Sequence, residues 1–113
     1  MATPSKFPIQ ITTGDTETLS LSFQNADGSA INIAGRSYAG QLRATADSAV
    51  VIASFTCVIV GNGSTGEVVC TIPSNVTSAL TPQVCVYDIQ ETNGSVVTTL
   101  LRGDAKIVQD VTR

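Results

Sequence analysis

Cys57, Cys70 and Cys85 are the three thiols of the chain and the first side chains to test for chemistry. A thiolate can act as a nucleophile, ligate a soft metal or close a disulfide, and each role needs a partner at a suitable spacing. The sequence has no Cys-x-x-Cys pair and no histidine, so the spacing argues against a zinc site and excludes an imidazole-activated nucleophile. An odd count also disfavours a full disulfide framework. On alternating strands each cysteine shares a face with larger apolar side chains: Cys57 with Phe55 and Ile59, Cys70 with Val68 and Ile72, Cys85 with Tyr87 and Ile89. The expected state is a reduced, buried thiol at all three positions, with one disulfide between neighbouring strands as the alternative.

Other short strings have ordinary backbone explanations. Arg102-Gly103-Asp104 spells an adhesion tripeptide, but Gly103 stands between two predicted strands, where a glycine at a bend is expected. Asn62-Gly63-Ser64, Asn75-Val76-Thr77 and Asn93-Gly94-Ser95 match the glycosylation acceptor pattern, yet without a leader they read as turn and cap residues. Asp88, Asp104 and Asp110 form no Asp-x-Asp-x-Asp loop for calcium. Arg43 and Asp88 are expected to pair across the sheet, a surface contact contributing ~0 to 1 kcal/mol. No catalytic residue, metal ligand or cofactor is assigned, and the chain is read as non-enzymatic.

Composition narrows the partners. Charged residues are 13% of the 113, against ~25% in an ordinary domain, while hydrophobic residues reach 42%. That excludes wholesale disorder, and one domain with its own core fits the length. Six lysines and arginines, scattered from Lys6 to Arg113, provide no cationic patch, so nucleic acid is not an expected partner. No apolar run is long enough to span a bilayer, and MATPSKFPIQ is not a secretory leader, so no membrane partner is expected and synthesis is cytosolic. A mean hydropathy of +0.25 with so few charges suggests a surface partly covered by another subunit.

The elements that must position these residues are strands. Apolar and polar residues alternate through 18–24, 66–72 and 83–91, and Gly14-Asp15, Asp27-Gly28, Asn62-Gly63 and Asn93-Gly94 punctuate the runs. Eight short strands are predicted at 9–12, 18–24, 36–44, 50–60, 66–72, 83–91, 96–102 and 106–111. Asn93-Gly94 predicts a type I′ hairpin. A single helical turn is expected over 74–80, capped by Ser74 and ended by Pro82. Strands this frequent without crossover helices predict an all-β fold, an immunoglobulin-like antiparallel β-sandwich over residues 9–113. Pro4 and Pro8 make residues 1–8 an extended N-terminal arm lying on the surface or on a neighbour and outside any sheet ladder, with Phe7 and Ile9 as its apolar anchors on a neighbouring subunit.

Two strands are apolar on both faces. Val50, Ile52 and Val58 lie opposite the predicted core set of 50–60, and Val96 and Leu100 lie opposite Val97 and Leu101. These outward residues need a cover, from loops or the N-terminal arm of the same chain or from another subunit; in the second case they form, with Phe7 and Ile9, the expected interface.

Several segments together resemble one family. Gly14-Asp15-Thr16 before an apolar strand, residues 27–35 (DGSAINIAG), Gln41-Leu42-Arg43, Val86-Tyr87-Asp88-Ile89-Gln90 and residues 101–113 (LRGDAKIVQDVTR) are similar to a small β-sandwich module of tailed-bacteriophage structural proteins. It resembles the N-terminal domain of upper baseplate proteins. The resemblance implies a virion localisation, other virion structural proteins as partners, homo-oligomerisation within the particle and no catalytic residues. The expected function is an adaptor or fibre/baseplate attachment component of the tail, with capsid decoration (cement) and a host-surface binding module as alternatives. Cys85 departs from the family, where an aromatic is usual before Val-Tyr-Asp, and the chain stops at Arg113 where the family often continues.

Overall fold

The computed structural model describes residues 5–111. It is all-β apart from one helical turn. Its strands are β1 (Ser5–Lys6), β2 (Ile9–Thr12), β3 (Glu17–Ser22), β4 (Ser37–Arg43), β5 (Ala53–Ile59), β6 (Glu67–Ile72), β7 (Gln83–Asn93) and β8 (Val96–Val108), with α1 (Ser74–Thr77) between β6 and β7. They join in one mixed sheet of order β1-β8-β7-β4-β5-β6-β3, with β2 also on β8, curled towards a barrel.

The continuity of the sheet depends on β5. Ala53, Ser54 and Phe55 pair with Leu42, Gln41 and Gly40 of β4, whereas Thr56, Cys57, Val58 and Ile59 pair with Thr71, Cys70, Val69 and Val68 of β6. One strand thus changes partner at its middle and forms a corner of the curl. Inside the curl, alternate residues of each strand form the core: Leu42, Phe55, Val68, Cys70, Ile72, Cys85, Tyr87, Ile89 and Ile107 are all buried. Gly40 leaves room there for Ile89 and Phe55, whose side chains occupy the place a Cβ would take.

Two expectations change at the N-terminus. The pairing is not antiparallel throughout, because β1 and β2 both run parallel to β8. The offset is the same in both, Ser5 with Leu101 and Ile9 with Ala105, so they form one strand interrupted at Pro8, which lacks a donor. Residues 5–8 are therefore not a free arm. Phe7 N–H donates to the Arg102 carbonyl at 2.9 Å, and Tyr87 Oη donates to the Phe7 carbonyl at 2.5 Å. Residues 1–4, the rest of the expected arm, lie outside the described residues.

Gly103 accounts for a third correction. The predicted strands 96–102 and 106–111 are one strand, and Gly103 makes no bend within it. A Cβ at this position would lie 2.6 Å from the Phe7 carbonyl oxygen and 2.9 Å from its carbon, so glycine here admits a close backbone neighbour. Arg102-Gly103-Asp104 is accordingly part of a paired strand and not an exposed loop.

The β7–β8 hairpin also differs in its turn. Asn93 pairs with Val96, which leaves Gly94 and Ser95 as the two-residue loop. Gly94 has φ +63° and among the described residues no non-glycine residue has a positive φ, so the turn has the type II′ pattern, with glycine first, rather than type I′. A bulge between Ile89 and Gln90 skips Leu100, and the alternation of β8 changes phase there.

The expected helix shrinks to Ser74–Thr77, and its N-cap is Pro73 without a side-chain cap, not Ser74. Tertiary bonds hold it instead. The fully buried Thr77 hydroxyl accepts from Gly14 N–H at 3.1 Å and donates to the Asp15 carbonyl at 2.6 Å, tying the β2–β3 turn to α1. Thr77→Val keeps the shape but strands both backbone groups, and is expected to lower stability by about 1.5 kcal/mol in urea unfolding.

Candidate functional site

The outer surface of β1, β8, β7 and β4 forms an open groove of about 910 Å³. Register sets its chemistry. One row across the strands reads Lys6, Arg102, Asp88, Gln41, and the next places Asp104 beside Val86 and Val86 beside Arg43. Two carboxylates and three cations thus line one face, yet among the described residues the ion pair within 4 Å is elsewhere, at Arg36 and Glu91. The expected Arg43–Asp88 pair does not form. Arg43 sits opposite Val86 and donates instead to the Ser48 carbonyl at 2.6 Å and to Gln41 Oε1 at 2.9 Å, so the loop after β4 captures it. The groove can bind polar or charged groups, but it assembles no nucleophile with a base. Among the described residues no group of three or more potential metal ligands occurs.

A second cluster was not foreseen from the sequence. Tyr38 Oη donates to Glu91 Oε2 at 2.6 Å, and Arg36 Nη1 reaches the same oxygen at 3.4 Å. Burial, then the adjoining carboxylate, raise the Tyr38 pKa. Its ring stacks on Phe23 with centroids 5.7 Å apart, so this tyrosine is engaged within the fold. Only the pairing of Tyr38 with Glu91 across β4 and β7 brings the groups together, and no local motif announces it. Phe7 is the aromatic offered to solvent, at 49% exposure.

Phe7 also lines a smaller apolar slot of about 290 Å³ with Leu19, Leu21 and Leu101, between β3 and the β1 side of the sheet. The edge of β3 is open. Phe23 N–H donates to the Gly66 carbonyl, continuing the β3–β6 register in which Leu21, Leu19 and Glu17 face Val68, Cys70 and Ile72. By antiparallel alternation the backbone groups of Thr18, Ser20 and Ser22 point the other way, where among the described residues no strand pairs with them.

The expected interface residues divide. Val50, Val58 and Val96 are exposed at 69%, 58% and 62%, and Phe7 is half-exposed. Ile9 and Ile52 pack against the core instead, and Leu100 is half-buried at the bulge. Val84, not singled out from the sequence, is exposed as well, and so is Val97, which was expected on the face opposite the outward Val96 and Leu100. Among the thiols, Cys70 and Cys85 are buried and Cys57 is half-buried; all three are free. No protein-family model matches the chain, and no curated protein matches it.

Proposed function

We propose that the chain is a non-enzymatic structural subunit of a tailed-phage virion, an adaptor or attachment component of the tail and baseplate built on an immunoglobulin-like sandwich. The pairing orders β3-β6-β5 and β4-β7-β8 correspond to the B-E-D and C-F-G strands of that architecture, which supports the fold reading. The observation that carries the assembly role is the open edge of β3. Its outward backbone groups at Thr18, Ser20 and Ser22 carry neither lysine nor proline protection, and the apolar slot lies beside them. Such an edge is suited to strand addition by a neighbouring subunit, and exposed Val58 lies on the outer surface of the same layer.

Mass spectrometry of separated heads and tails from purified particles is expected to find the protein in the tail fraction. Its presence in heads alone would assign it to capsid decoration, and its absence from particles would overturn the proposal. Ser20→Pro tests the edge directly, because it removes an N–H that β6 does not use. The variant is expected to fold with an unchanged far-ultraviolet spectrum and to enter particles poorly. Wild-type incorporation of folded Ser20→Pro would exclude the β3 edge as the contact.

A further inference from the structure

Cys57 and Cys70 stand directly opposite each other on β5 and β6. Their position within the ladder decides their reach. Val60 N–H donates to the Glu67 carbonyl, and counting back by twos makes Val58 with Val69 and Thr56 with Thr71 the hydrogen-bonded pairs. Cys57 with Cys70 is therefore a non-hydrogen-bonded pair, the geometry in which opposed Cα atoms come to about 4.5 Å and side chains are closest. That separation lies at the short end of the roughly 4.4 to 6.8 Å range spanned by disulfides. Both side chains are on the core side of the sheet, since Phe55 and Ile59 flank Cys57 in alternation while Val68 and Ile72 flank Cys70.

Access is unequal. Pairing between β4 and β5 ends at Phe55, so Cys57 lies past the corner and is half-buried, whereas Cys70 has no exposed surface. The facing thiol lowers the Cys57 pKa, and the same neighbour with burial raises that of Cys70. Cys57 is thus the attacking sulfur, with Cys70 behind it. Cys85 belongs to a different strand, and its thiol donates to the Ala105 carbonyl at 3.3 Å.

We infer that Cys57 and Cys70 form a reversible dithiol–disulfide site that reacts with low-molecular-weight disulfides and excludes Cys85. The Cys57 thiolate attacks one sulfur of the small disulfide, forming a mixed disulfide and expelling a thiolate that takes up a proton. Cys70 then loses its proton, attacks the Cys57 sulfur and expels the second small thiol. Two protein thiols are oxidised, and one small disulfide is reduced to two thiols. The closed bond staples β5 to β6 across the turn that joins them. A short cross-strand bond of this kind belongs to the more readily reduced class, so the change reverses with added thiol.

The test exposes the native protein to oxidised glutathione and follows intact mass, a non-reducing peptide map and Tm. The expected product is lighter by two hydrogens, links the Cys57 and Cys70 peptides, melts at higher temperature and reverts with dithiothreitol. Cys85→Ala is expected to behave as wild type, Cys57→Ala to give neither adduct nor link, and Cys70→Ala to hold one glutathione on Cys57. If Cys70→Ala does not fold, wild type and Cys57→Ala decide the question alone. Folded wild-type protein that keeps its mass, stops at the mixed disulfide or links Cys85 would overturn the inference.

Discussion

Gly103→Val is expected to release the N-terminal strand and to lower stability by about 3 to 4 kcal/mol. The Cβ of any replacement meets only backbone, with the Phe7 carbonyl oxygen, carbon and nitrogen at 2.6, 2.9 and 3.2 Å. No side chain can swing aside. Either β8 bends or β1 leaves it, and departure of β1 also breaks the Phe7–Arg102 and Tyr87–Phe7 hydrogen bonds. Thermal unfolding should show Tm lower by roughly 15 °C, on the usual scale for a domain of this size. Hydrogen exchange should show the loss confined at first to residues 5–12 and β8. A variant with wild-type Tm and wild-type protection there would refute the close-approach account of this glycine.

Alkaline pH should destabilise the protein through Tyr87. Burial pushes its phenol up to about 12, against an ordinary value near 10 in the unfolded chain. The folded state therefore holds the proton over a range in which the unfolded state has lost it. The resulting stability is fully present below pH ~10 and declines as pH rises towards 12, a loss of about 2 kcal/mol. Denaturant unfolding at successive pH values should show that decline, and tyrosinate absorbance should rise late. Tyr87→Phe should remove part of the slope, leaving the parts due to Tyr38, Cys70 and Cys85, whose pKa values are also raised. An equal alkaline slope in wild type and Tyr87→Phe would show that Tyr87 is not the titrating group.

Local pattern and long-range register contribute differently to what can be read from this chain. Alternation alone located β3, β6 and β7 and the core-facing cysteines, because a half-buried strand imposes a period of two on its own residues. The glycine at residue 94 marked a hairpin for the same local reason, although pairing of Asn93 with Val96 shifted the turn by one residue. Gly103 was misread as a bend because a glycine needed for a close neighbour and one needed for a turn look identical in sequence. Its neighbour, Phe7, is 96 residues away. Arg43 similarly pairs with a loop carbonyl whose position alternation cannot supply. The charged groove had no local signature either, since Lys6, Arg102, Asp88 and Gln41 become a row only when β1, β8, β7 and β4 stand side by side. The Cys57–Cys70 contact falls between these cases. Facing was legible, and adjacency required the β5–β6 register.

The parallel pairing of β1 and β2 with β8 has a mechanical consequence. Residue 5 lies beside Leu101 and Thr12 lies beside Val108, so the incoming chain meets one end of this pair and the outgoing chain leaves from the other. Tension applied between the two chain ends therefore drags the strands lengthwise past each other. The bonds along Ile9–Thr12 share that load together and must yield nearly at once, whereas an antiparallel pair pulled from one end would open one bond at a time. A domain loaded through its two termini gains resistance to rupture from this arrangement without any increase in its equilibrium stability, because rupture under load is governed by the unfolding barrier.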